Sequence, residues 1–184
     1  MKKLCLPLSC LMALMVMMTL NANGARADTA GNWDKFSSVL TVGAPLVAGF
    51  NSWRKGDDDG VKDLGLSLFG TLVIDEAIKN VHHETRPDRS GNDSFPSNHA
   101  AVSFATAHYV DIRDSGVGAN YYYAAAVLTS YARVQARQHY WKDTIAGGGI
   151  GFLMSGVATD PKSMKVTATP LRGGVAFNWI HPLE

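Results

Sequence analysis

The sequence predicts an all-α fold: a bundle of about five to six core helices, closed by a short C-terminal β-hairpin. Three observations carry this. Long apolar stretches with helical spacing follow one another, separated by polar or Gly/Pro breaks. The segment between the second and third stretches is a short polar loop rather than a second domain. Only the last twenty or so residues change to short alternating runs around Gly173-Gly174.

The elements follow in order. Met1 to Ala27 is set apart from the fold, because Lys2-Lys3, an apolar run from Leu4 to Leu20 and the small-x-small site Ala25-Arg26-Ala27 form the layout of a secretory signal peptide. The run is short for a membrane span. Residues 28–184 are then expected to form one domain, a size that buries a sizeable core. Asp34 to Trp53 reads as a first helix. Asp59 reads as the cap of a second, Val61 to Val81, which is expected to run on to about Thr85 because Pro87 disfavours a helical Arg86. Asn98–Arg113, Tyr121–His139 and Thr144–Ala158 read as the third to fifth helices. Lys165–Leu171 and Val175–Ile180 read as the hairpin strands, within a terminal segment 163–184.

Composition narrows function. The chain has 17 basic and 16 acidic residues. Loss of Lys2, Lys3 and Arg26 with the leader keeps the remainder close to neutral, which argues against nucleic acid as partner. Both cysteines, Cys5 and Cys10, lie in the leader, so residues 28–184 contain no thiol nucleophile, disulfide or cysteine metal ligand. Export to a bacterial periplasm or cell envelope follows from the leader. The greasy, small-residue-rich helices leave room for peripheral membrane contact.

Three clusters carry chemistry. Lys79 and Arg86-Pro87 place two cations near the end of the second helix. Pro96-Ser97-Asn98-His99 opens the third, where unpaired backbone N–H groups suit an anion. Arg133, His139 and Asp143 form the third; if the helix continues, His139 and Asp143 share a face, and the carboxylate accepts the imidazole Nδ1–H and frees Nε2 to attack. Taken singly, each cluster reads better as a dipole partner, a plain cap or a surface pair. Together they supply cations around a phosphoryl group, an in-line nucleophile and an acid for the leaving oxygen. His82, His83, His99, His139 and Asp143 also admit a zinc site, but no compact ligand motif such as H-E-x-x-H is present.

The three strings resemble the signature of the type 2 phosphatidic acid phosphatase (PAP2) superfamily: lysine, six residues, Arg-Pro; Pro-Ser-Gly-His; and Ser-Arg, five residues, His, three residues, Asp. Asn98 stands in place of the glycine and Ala132 in place of the serine. The resemblance implies a metal-independent, cofactor-free phosphatase acting on monoesters or pyrophosphates, and the apolar, small-residue-rich chain favours lipid-linked phosphates among them. It implies that His139 becomes a phosphohistidine, that Asp143 orients it, and that His99 protonates the leaving group and then activates water. Lys79, Arg86, Ser97, Asn98 and Arg133 are implied to surround the phosphate. A soluble non-specific acid phosphatase and a non-catalytic phosphate- or lipid-binding envelope protein are the alternative readings.

Overall fold

The computed structural model describes residues 29–114, 117–160, 165–171 and 174–180; the leader and its cleavage site lie outside them. Among the described residues five helices build the fold: α1 Thr29–Lys55, α2 Asp58–Val81, α3 Asn98–Asp114, α4 Val117–Gln135 and α5 Trp141–Thr159. Beyond them, β1 Lys165–Leu171 pairs antiparallel with β2 Gly174–Ile180, Lys165 opposite Ile180.

The bundle packs through small side chains. Ala100, Ala101, Ala105 and Ala107 make one side of α3 fully buried, and Tyr109 extends the core against Ala48, Leu64 and Tyr122. Close approach of α3 to α5 depends on glycine: a Cβ on Gly147 would stand 2.4 Å from the Ser97 carbonyl oxygen, and one on Gly151 would stand 1.9 Å from that of Ala101. Contacts that short do not exist between real atoms, so these two helices meet backbone to backbone. Ser97 N–H completes the junction by donating to the Asp143 carbonyl at 3.0 Å. The start of α3 and the start of α5 are thereby clamped together, and both ends carry motif residues.

Several boundaries differ from the sequence expectation, among them the starts of α4 at Val117 rather than Tyr121 and of α5 at Trp141 rather than Thr144. The first helix starts at Thr29, not Asp34, and ends at Lys55. The cap of α2 is Asp57 rather than Asp59: its carboxylate accepts Gly60 N–H at 3.0 Å and also pairs with Arg113. That helix ends at Val81, with His82 already extended, four residues before Thr85. Pro87 restricts only Arg86, whereas the chain leaves the helix earlier because Ser94 N–H donates to the Glu84 carbonyl and Arg86 N–H to that of Gly91.

A further difference, at the end of α4, shapes the site. α4 ends at Gln135, and His139 is not helical. Arg137 takes a left-handed conformation at φ 57°. Gln138 N–H reaches back to the Arg133 carbonyl at 3.1 Å and Arg137 N–H to that of Val134 at 3.0 Å. This is a Schellman closure with arginine in the position that favours glycine. The chain turns sharply there, so His139 precedes α5 and Asp143 sits in the first turn of that helix.

Candidate active site

The C-terminal part of α2, the loop after it, the first turn of α3, the end of α4 and the turn after it meet around one cleft of about 330 Å³. Lys79, Arg86, Asn98, His99, Arg133 and His139 all line it, although they span more than sixty positions of sequence. Ser97 and Asp143 stand behind the lining, both fully buried. The helix start contributes too, since Ser97 is the residue before α3 and Ala101 N–H donates to its carbonyl at 3.0 Å. The first N–H groups of α3 precede the helical ladder and carry the positive end of its dipole.

His139 is 3% exposed. Its Nδ1 donates to the Ser94 carbonyl at 2.7 Å. The sequence expectation gave this role to Asp143, whose carboxylate oxygen is 3.9 Å away, too far for a hydrogen bond. The expectation assumed a continuous helix, and the turn at Arg137 removes that geometry. Asp143 instead accepts from Ser94 Oγ at 2.6 Å and from Tyr140 N–H at 2.8 Å. It therefore fixes Ser94 on one side of His139 and the backbone adjoining it on the other. With Nδ1 protonated, a neutral ring carries its lone pair on Nε2.

Charge is dense and partly balanced. Arg133 is 3% exposed, forms an ion pair with Asp34 and donates to Ser37 Oγ at 3.4 Å. Arg86 clasps Asp93 through Nε and a terminal nitrogen at 2.8 and 2.7 Å, and also bonds Gln138. Against the opposing pull of desolvation, that guanidinium holds the Asp93 carboxyl below its usual range. Lys79 Nζ donates to the Asp93 and Pro96 carbonyls at 2.6 and 2.7 Å, tying the loop to α2. Burial lowers the Lys79 pKa, an effect opposed by Asp93, Asp75 and Glu76.

Both histidines are held neutral at pH 7. Desolvation, then Arg133, pushes His139 down to about 3, with Ser94 pulling the other way. The same two causes push His99 down to about 4, opposed by Asp34. His99 Nε2 lies 3.2 Å from Ser38 Oγ of α1. A neutral His139 has the lone pair a nucleophile needs. A neutral His99 must gain a proton before it serves as an acid, and a bound phosphate supplies the negative charge that favours this.

Sequence reasoning missed Ser94, Asp34, Ser38, Asp93 and Glu76. Asp34 lies 99 positions from Arg133, and nothing in the local sequence announces that pairing. Ser94 acts largely through its backbone carbonyl, which has no residue signature. Among the described residues, no group of three His, Cys, Asp or Glu side chains is arranged to hold a metal ion.

Residues 60–160 match the PAP2 superfamily. The chain is also similar to lipid A 1-phosphatase of Porphyromonas gingivalis, at 30% identity over 95 residues, 50% of this chain and 21% of that protein. The chain thus aligns with about a fifth of that relative. The crystal structure of Aquifex aeolicus LpxE shares the fold, with a TM-score of 0.61 at 18% identity, covering 80% of this chain and 93% of that one. The superfamily match runs over more than half the sequence and encloses all three motifs from Lys79 to Asp143, and by that match the chain belongs to the PAP2 superfamily.

Proposed function

We propose that this protein is a metal-independent phosphatase that hydrolyses phosphate monoesters or pyrophosphates, lipid-linked ones by preference, through a phosphohistidine on His139. The observation that carries this reading is the convergence of Lys79, Arg86, His99, Arg133 and His139 on one cleft, with His139 Nδ1 tied to the Ser94 carbonyl. Nε2 of His139 attacks phosphorus, and the P–O bond to the leaving group breaks. His99, protonated once the phosphate is bound, gives its proton to the departing oxygen. Now neutral, it takes a proton from water, whose oxygen attacks the phosphohistidine and releases phosphate. Lys79, Arg86, Arg133 and the α3 start, including Ser97 and Asn98, stabilise the equatorial oxygens. Asp143 positions His139 through Ser94.

The lipid preference rests on the exterior. Val42, Leu46, Phe50 and Trp53 of α1 are 59%, 65%, 52% and 64% exposed, and their spacing places them along one side of the helix. An apolar groove of about 400 Å³ also opens on the surface, lined among others by Phe104, Val127, Trp141, Ile145 and Phe152. Such surfaces suit contact with acyl chains or a membrane interface. No described helix is long and apolar enough to cross a membrane. Export with cleavage after Ala27, peripheral membrane contact and action in a bacterial envelope complete the reading.

The test is hydrolysis of a short-chain lipid phosphate and a soluble sugar phosphate by the purified protein, with excess chelator, for wild type and His139→Ala. Chelator-resistant turnover that vanishes in the variant, and is faster on the lipid, is the expected result. Equal turnover in His139→Ala would overturn the mechanism, and faster turnover of the soluble ester would overturn the lipid preference.

A further inference from the structure

Asn98 replaces the glycine of the family signature, and its side chain has a partner. Asn98 Nδ2 donates to Glu76 Oε1 at 3.0 Å. The opposite amide orientation would set oxygen against carboxylate, so the pairing itself assigns the donor. Glu76 lies one turn before Lys79 on α2, and Asn98 is the first residue of α3, directly before His99. Both line the cleft, with Asn80 and His83 beside them.

The cleft therefore has two chemical characters. Arg86, Arg133 and Lys79 supply the cations that a phosphoryl group needs. Glu76, Asn80, Asn98 and His83 offer a carboxylate, two amides and an imidazole. Glu76 is exposed, and its bond to Asn98 occupies Oε1; Oε2 has lone pairs for a hydroxyl donor. His99, the proposed acid, lines the same cleft, which sets this polar patch on the wall it shares with the departing group.

We propose that Glu76 and Asn98 form a leaving-group subsite that selects phosphate monoesters of hydroxyl-rich alcohols, sugars above all, over diphosphates. The proposal rests on the phosphatase reading. A sugar hydroxyl donates to the Glu76 carboxylate, and ring oxygens and hydroxyls match the amides. A diphosphate would bring a second anionic phosphoryl group to the same place, where the carboxylate repels it. Asn98 holds Glu76 in the cleft wall, and glycine at that position would release it.

The experiment measures kcat/KM for a soluble sugar phosphate, an acylated sugar phosphate and a short prenyl diphosphate, in wild type, Glu76→Gln and Asn98→Gly. Glutamine keeps an acceptor for Asn98 and removes only the charge. The expected result is that wild type favours both sugar esters over the diphosphate. In Glu76→Gln the ratio for each should fall by about threefold to fivefold, the size of one exposed charge contact. Asn98→Gly should move the ratio the same way. The faster of the two sugar esters names the source of the sugar, lipid-linked or free. A ratio is insensitive to the fraction of folded protein, so partial unfolding does not mimic the effect. Turnover of all three substrates with an unchanged ratio in Glu76→Gln would overturn the selectivity and leave the phosphatase reading intact. No turnover of any phosphate ester by wild type would overturn both.

Discussion

The carbonyl oxygen of Ser94 lies 2.7 Å from Nδ1 of His139, inside hydrogen-bond distance, while the carboxylate of Asp143 lies at 3.9 Å. The tautomer of His139, the proposed nucleophile, is thus set by a backbone group, and Asp143 acts one step removed. In a triad where the acid bonds the imidazole directly, its amide variant costs about 10⁴-fold because the wrong tautomer forms. Here Asp143→Asn leaves the Ser94 carbonyl in place. We expect Asp143→Asn to lose about 10- to 100-fold in kcat, the scale of a supporting hydrogen bond, and His139→Ala to lose all phosphohistidine chemistry. Acid-quench trapping of phosphorylated protein checks both: the Asp143 variant should still label, more slowly, and the His139 variant should not. A 10⁴-fold loss in Asp143→Asn would mean that the carboxylate closes directly on His139 during turnover.

In the proposed mechanism His99 must change protonation state to act. Its pKa stands at about 4, lowered by desolvation and by Arg133. A phosphate dianion adds opposite charge at short range and should raise it by about one to three units. NMR titration of the His99 ring with and without inorganic phosphate measures this directly. Activity should decline on the alkaline side as the complex loses that proton. His99→Ala should cost about 10²- to 10⁴-fold on an alkyl phosphate, and distinctly less on nitrophenyl phosphate, whose leaving group departs without a proton. Equal losses on both esters would show that His99 does not protonate the leaving oxygen.

The glycines of α5 make a separate prediction about stability. A methyl on Gly151 would overlap the Ala101 carbonyl, and one on Gly147 that of Ser97. Backbone cannot yield as a flexible side chain does, so each Gly→Ala change should destabilise by about 1–3 kcal/mol or more. Gly149 has open space at the same test position, and Gly149→Ala should be neutral or slightly stabilising through helix propensity. Thermal melts of the three variants decide it. Gly147→Ala should also lower activity in the folded fraction, because Ser97 sits at the clamp that brings His99 to His139.

These cases show what was legible in the sequence. Helices and motif spacing were, because apolar periodicity and the offsets from Lys79 to Asp143 are local properties of the chain. The end of α4 was not: Arg137 adopts a conformation that glycine usually marks, so no residue signalled the turn and His139 looked helical. The pairings of Asp34 with Arg133 and Asp93 with Arg86 arise only when distant or irregular segments meet. Side-chain identities pointed to the cleft, whereas the backbone carbonyls that hold Lys79 and His139 could not be read from them.

Asp75 gives a prediction of a different kind, since it is buried and serves no step above. It is 0% exposed, and neither carboxylate oxygen has a hydrogen-bond partner. Desolvation raises its pKa from 3.8 to about 7, with Lys79 opposing and Glu76 reinforcing. An acid whose folded pKa lies above its unfolded one is held protonated by the fold. Below about pH 4 both states carry the proton and nothing is lost. Between about 4 and 7 the unfolded chain ionises first, so stability falls as pH rises, and above 7 the loss is complete. Three units correspond to about 4 kcal/mol as an order of magnitude. His99 and His139 act in the opposite sense, since their lowered values cost stability as pH falls below 6.5. The difference between Asp75→Asn and wild type removes their contribution. That difference in melting temperature should be small at pH 4 and grow in favour of the variant up to about pH 7. Above that pH it should level off. A difference that stayed constant with pH would mean that Asp75 is ionised in the folded protein throughout, with its charge balanced by Lys79.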